Sequence, residues 1–286
     1  MLKEKILIYG RMIKFSHTIF ALPFALSAMI LAWQEHEFKL SALILILIAM
    51  VAARSAAMGF NRIVDAQIDK ENPRTAIREI PSGILKKKEA VIFVILSSCV
   101  FIIVAFLLGK TCFILSFPVL FFLMLYSYTK RFTKYCHLFL GFAIGLAPVG
   151  AWIAITNSLS INIIFLSLGL MTYISGFDIL YSCQDIEFDK SQELFSFPAK
   201  FGAKRAMLIA KALHVFTIIC LILMQYLFSM HPIFYVFLVI IVILLIIEHM
   251  LVKPDNLKHI NIAFFHMNSL VSVVLLTGVI IETLLK

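Results

Sequence analysis

The chain has 286 residues, 62% of them apolar and 14% charged, with mean hydropathy +1.01 and a formal net charge of +9. Soluble domains run nearer half apolar and a quarter charged, so this balance excludes an ordinary globular enzyme and indicates a membrane protein. The positive excess is read as topology and contact with anionic lipid, and not as a nucleic-acid surface.

A spanning helix needs about 20 apolar residues. Nine stretches qualify, near 16–34, 41–60, 89–108, 112–129, 137–156, 161–182, 207–228, 232–251 and 260–283. The connection at Gly109-Lys110 allows only a tight helical hairpin. The expected fold is all-α: one polytopic membrane domain over 1–286, a bundle of about nine transmembrane helices with no separate soluble part. The first run is long enough to span and eight more follow it, so it is read as a helix rather than a cleaved signal peptide.

Basic residues set the orientation. With the N-terminus cytoplasmic, 20 of the 25 Lys and Arg residues fall on the inside, including Lys3, Lys5, Arg11, Lys14, Lys86, Lys87 and Lys88. Only Lys39, Lys110 and Lys286 face out, and Arg54 and Lys211 lie within helices. This is a strong positive-inside pattern, consistent with a bacterial inner membrane. The cysteines (Cys99, Cys112, Cys136, Cys183, Cys220) are scattered without a CxxC pair, so thiolate-metal and redox chemistry are set aside.

The chemistry concentrates at the inner ends of the second and sixth runs. Asn61, Asp65 and Asp69 repeat every four residues and so share one helical face. Asp185 and Asp189 repeat the spacing, and the hexapeptides DAQIDK (65–70) and DIEFDK (185–190) lie 120 residues apart, a parallel internal repeat of two halves. Like charges one turn apart repel, and cations relieve them. Mg²⁺ prefers oxygen ligands and commonly takes one or two carboxylates plus substrate phosphates. Two such motifs facing each other suit two Mg²⁺ ions that bridge a pyrophosphate and polarise it as a leaving group. Solvation of helix ends would explain one motif; it explains a matched pair poorly.

Basic residues near the motifs fit an anionic leaving group: Arg62, Arg74 and Arg78 after the first, Lys130 and Arg131 at the end of YSYTKR (126–131). Arg54 and Asp178 lie deeper, each seven residues before its motif, roughly 10 Å along the helix. Ionisable side chains at membrane depth point to function. Arg54 is a candidate for holding an acceptor carboxylate, and Asp178 for orienting or deprotonating its hydroxyl; the structural alternative is that they pair with each other or with a carbonyl. Tyr126, with Tyr128 or Tyr181, is a candidate for facing an allylic cation with its ring.

NRIVDAQID, YSYTK, FDILYSCQDIEFD and the nine-helix plan closely resemble intramembrane aromatic prenyltransferases of the 4-hydroxybenzoate polyprenyltransferase (UbiA-type) superfamily. The Arg54 to Asn61 spacing and the RxxK start from Arg11 to Lys14 belong to the same resemblance, and KFSHTIFALPFA (14–25) and NPRTAIREIPSG (72–83) resemble its bacterial quinone-pathway branch. The resemblance implies a polyprenyl pyrophosphate donor, two Mg²⁺ ions and a lateral opening to lipid, with no obligate protein partner. It implies that Asn61, Asp65, Asp69, Asp185 and Asp189 form the metal site, flanked by Tyr126, Lys130 and Arg131. Arg11 and Lys14 are the next candidates after Arg54 for holding the acceptor. Glu187 between the second pair of aspartates departs from the pattern and leaves open which carboxylates there touch metal. The implied reaction prenylates an aromatic acid such as 4-hydroxybenzoate for ubiquinone, with a dihydroxynaphthoate-type acid for menaquinone as the alternative. A secondary transporter needs polar sites at mid-bilayer, whereas these aspartates gather at one surface. A phosphatidyl-type phosphotransferase motif is absent, and a non-catalytic scaffold leaves the paired motifs unexplained.

Overall fold

The computed structural model describes residues 2–286, with side chains from residue 4 onward. It is 80% helical and contains no strand among the described residues. Nine helical segments there are long and apolar enough to cross a membrane, and each overlaps one of the nine expected runs. They are Phe15–Trp33, which contains α2 (Leu22–Trp33), then α3 (Leu40–Val64), α5 (Lys87–Leu108), α6 (Lys110–Thr129) and α7 (Cys136–Thr156). Next come α8 (Ile161–Ser182), α10 (Phe197–Leu227), α11 (Phe234–Leu251) and a last span, Ile262–Leu284, that ends in α12 (Asn268–Leu284). This is an all-α, multi-pass membrane protein.

Three elements differ from expectation. An N-terminal helix, α1 (Leu2–Met12), precedes the first span. Helix α10 starts ten residues early, because Ser196 caps it by accepting from Ala199 N and Pro198 occupies its first turn. The chain then breaks at Gly202 (φ 76°, ψ 161°), so Lys200, Lys204 and Arg205 lie on helix rather than in a loop. Each aspartate motif also leaves its spanning helix through a bend. Asp65 (φ −88°, ψ 1°) separates α3 from α4 (Ala66–Glu71), and Asp185 (φ −102°, ψ 8°) precedes α9 (Ile186–Ser191). The first motif keeps its register regardless, since Asp65 N donates to Asn61 O and Asp69 N to Asp65 O.

The chain divides into two compact units. Unit 1 comprises residues 1–18 and 41–128 and carries the first motif. Within it, Met12 and Ile13 bury against Leu85 and Ala90, and Tyr9 stacks on Phe93 at 4.7 Å. These contacts dock α1 onto α5. Gly59 lets α3 and α5 close up, because a Cβ there would meet Val94 and Phe93.

Unit 2 comprises residues 19–40 and 129–286 and carries the second motif. Helix α8 packs between α7 and α10. Gly141 and Gly145 form a G-x-x-x-G face on α7, and side chains there would strike Met171 O and Ser167 O of α8. In lipid no hydrophobic force joins helices, so such close backbone approach supplies the van der Waals packing. The last span opens in a wide π-type turn, Ile262–Met267. Asn268 satisfies carbonyls there, its Nδ2 donating to Ala263 O and Phe264 O.

Candidate active site

In unit 1 the first motif lies among cations. Asn61 Nδ2 donates to Asp65 Oδ2 at 2.8 Å. Asp65 and Asp69 are both buried. Arg78 Nη1 donates to both oxygens of Asp69, at 2.6 and 2.7 Å, and Thr75 Oγ1 donates to Asp69 O at 3.0 Å. The 72–86 segment thus folds back over the motif. Burial, followed by the charges of Arg62, Arg78 and Arg74, holds the Lys14 ammonium below its usual range, with Glu79 opposing. Cations that depress one another in this way form a site for an anion.

Two arginines of α3 turn toward the end of α1. Arg62, 4% exposed, donates from Nε to Met12 O at 3.1 Å. Arg54 donates from Nη2 to Lys14 O at 2.9 Å and Ile13 O at 3.3 Å, while its buried Nε has no hydrogen-bond partner among the described residues. These carbonyls lie at the end of α1, where cationic donors satisfy them well; Lys14 O also accepts from His17 N at 2.9 Å. Lys14 itself adopts a left-handed backbone, φ 50°. Tyr126 lies within electrostatic reach of Arg54, Arg62 and Asp65, and its hydroxyl meets Met58 Sδ at 3.8 Å. Unit 1 therefore brings together Lys14, Arg54, Asn61, Arg62, Asp65, Asp69, Arg74, Arg78 and Tyr126. Arg11 is exposed in the last turn of α1, and Tyr128 is 43% exposed and meets Phe60 edge-on.

In unit 2 Asp189 is 2% exposed. Ser196 Oγ donates to its Oδ2 at 2.9 Å. Its Oδ1 has Lys130 Nζ at 3.5 Å but no hydrogen bond. Lys130 is placed by its own backbone, whose carbonyl accepts from Phe195 N at 2.7 Å. Asp185 and Arg131 are half-buried, and Glu187 points outward beside Lys190. Asp178 pairs with His137, Nδ1 to Oδ2 at 2.7 Å. Tyr181 meets Phe264 of the π-type turn at 4.0 Å between centroids, beside Phe20 and Phe177. Arg54 thus meets backbone carbonyls, one of the structural alternatives considered from the sequence, and Asp178 meets a histidine.

The donor set on both motifs is oxygen, carboxylate and amide, which suits a hard cation such as Mg²⁺. Asp189 Oδ1, buried and lacking a hydrogen bond, is an acceptor of the kind such an ion uses. Among the described residues no three His, Cys, Asp or Glu side chains stand together as a metal cage. The residues therefore fit an ion that draws further ligands from substrate phosphate and water, as Mg²⁺ does.

The UbiA prenyltransferase family matches this chain over residues 21–270. The chain belongs to that family. Among UbiA relatives, a 4-hydroxybenzoate octaprenyltransferase of Francisella tularensis subsp. novicida is 31% identical over 180 residues, 63% of this chain and 63% of that protein. The match thus spans less than two thirds of that relative's length. A UbiA homologue of Aeropyrum pernix, solved in its apo form, is 30% identical with a TM-score of 0.84, covering 93% of this chain and 98% of that one. A UbiA homologue of Archaeoglobus fulgidus, bound to DMAPP and Mg²⁺, shares the fold with a TM-score of 0.73 at 16% identity, covering 97% and 99%.

Proposed function

We propose that this UbiA-family chain transfers a polyprenyl group from an allylic polyprenyl pyrophosphate to the ring of an aromatic acid such as 4-hydroxybenzoate, in respiratory quinone biosynthesis. The observation that carries this reading is the gathering of Lys14, Arg62, Arg74 and Arg78 beside Asp65 and Asp69. A transporter or scaffold has no use for an anion site built onto acidic motifs. The name of the Francisella relative supports the acceptor class.

Asn61, Asp65 and Asp69 in unit 1, and Asp185 and Asp189 in unit 2, would hold Mg²⁺, two ions in all. Bound there, Mg²⁺ supplies Lewis-acid withdrawal of charge from the pyrophosphate. Lys14, Arg62, Arg74 and Arg78, with Lys130 and Arg131, take up negative charge as the donor C1–O bond breaks and its electron pair leaves on pyrophosphate. Tyr126, with Tyr128 or Tyr181, presents a ring face to the allylic cation. Arg54 holds the acceptor carboxylate, near Lys14 and with Arg11 close by in sequence. Asp178 orients the acceptor hydroxyl. The ring carbon ortho to that hydroxyl forms the new bond, and its proton passes to Asp178 or to the released pyrophosphate. The spanning helices keep water from the cation.

Membranes supplied with one labelled prenyl pyrophosphate and either 4-hydroxybenzoate or a dihydroxynaphthoate acid test this reading. Mg²⁺-dependent labelling of the first acid is the expected result. Labelling of the second alone would move the enzyme to menaquinone biosynthesis, and labelling of neither would overturn the function.

The basic-residue asymmetry supports a bacterial inner-membrane location with the N-terminus and both motifs on the cytoplasmic side. Ile77 and Phe132 are 80% and 59% exposed, and Leu159, on an opposite connection, is 63% exposed. In a protein stripped of native cysteines, an impermeant thiol reagent added to intact cells should label Leu159→Cys. It should leave Ile77→Cys and Phe132→Cys unlabelled until the cells are opened. The reverse pattern would invert the topology.

A further inference from the structure

The pairing of Asp178 with a histidine is built into helix packing. His137, Gly141 and Gly145 are spaced by four along α7, so they share one face. The two glycines bring that face against the backbone of α8 at Ser167 and Met171. One turn before Gly141, the same ridge presents His137. Three residues past Ser175, whose Oγ also crowds Gly141, α8 presents Asp178. His137 Nδ1 then lies 2.7 Å from Asp178 Oδ2. The His137 ring lies nearly parallel to Phe197, 18° between planes with centroids 5.9 Å apart, which fixes its rotation.

A carboxylate only accepts, so the proton of this bond belongs to Nδ1. His137 Nε2 is buried without a hydrogen-bond partner among the described residues. Exposure separates the roles: the Asp178 side chain is 26% exposed and that of His137 is 4%. Substrate can reach the carboxylate, and the imidazole lies behind it.

We infer that His137 is a positioning residue for prenyl transfer, its Nδ1–H holding the Asp178 carboxylate in the orientation that meets the acceptor. The inference rests on the proposed function and adds a residue to it. As the ring C–H bond breaks, its electron pair restores aromaticity and the proton passes to Asp178. A carboxylate locked on one oxygen presents the other without first reorganising.

Three His137 variants separate positioning from packing. His137→Ala should lower kcat about 10- to 100-fold, the usual effect of losing a hydrogen bond to a charged group, with KM for the prenyl pyrophosphate unchanged within about twofold. His137→Asn places an amide N–H near the Nδ1 position and should recover kcat to within about fivefold of wild type. His137→Gln places its amide near Nε2 and should remain slow. Where the alanine variant does not fold, the asparagine–glutamine contrast decides. Equal rates for those two, or an alanine variant with wild-type kcat, would overturn the inference. Wild-type protein that prenylates neither aromatic acid would instead count against the proposed function. The pair is then judged by ¹⁵N NMR of histidine-labelled protein. An Nδ1-protonated imidazole signal that disappears in Asp178→Leu upholds it, and the lack of such a signal overturns it.

Discussion

Asp65→Ala and Asp185→Ala are each expected to abolish measurable prenyl transfer while the protein stays folded in the membrane. Each removes an oxygen donor from a different motif, and metal stabilisation of a leaving group contributes several kcal/mol, a rate factor on the order of 10² to 10³ or more. The second aspartates should behave differently. Asp69 neutralises Arg78 through two hydrogen bonds, and Asp189 is buried against Lys130 and Ser196. Removing either strands a partly buried cation, so Asp69→Ala and Asp189→Ala should lose thermal stability as well as rate, by about 1–3 kcal/mol. Turnover assays at saturating Mg²⁺, alongside melting curves of purified protein, separate the two classes. Near-normal rates in Asp65→Ala or Asp185→Ala would sink the two-motif mechanism.

The split between first and second aspartates was not readable from the hexapeptides, which present both positions alike. It comes from partners set by loop geometry: Arg78 returns from nine residues downstream, and Lys130 arrives from the far side of the α6–α7 turn. The spans were legible because the bilayer imposes a length and a composition that few other structures share. Helix α1 was not, since its 11 residues include Glu4, Lys5 and Arg11. Its order comes from burying Met12 and Ile13 against α5. The early start of α10 hid behind Lys200, Lys204 and Arg205, which read as loop although Ser196-Phe197-Pro198 is a helix-start signal. His137 carries no sequence signal of its own, because a single histidine at a helix start is commonplace. The spacing His137-Gly141-Gly145 was the available clue, as it puts the imidazole on the close-packed face.

Arg54→Leu is expected to raise KM for the aromatic acid about 10- to 150-fold, and KM for the prenyl pyrophosphate far less. Arg54 lies two turns deeper than Asn61 along α3, with its side chain reaching the turn that carries Lys14. A planar guanidinium suits a carboxylate, and losing one charge-assisted contact costs about 1.5–3 kcal/mol. The competing role is structural. Arg54 Nη2 ties down Ile13 O and Lys14 O, so removing it also loosens the turn that places Lys14. That role needs a donor and no charge. Arg54→Gln keeps a donor for the two carbonyls and discards the charge, so it separates the two roles. If Arg54 binds the acceptor, the glutamine variant melts near wild type and still shows the raised KM for the acid. If Arg54 only secures the turn, glutamine restores both KM values, and leucine weakens both substrates together through Lys14. A stable leucine variant with an unchanged KM for the acid would move the acceptor carboxylate to Arg11 or Lys14.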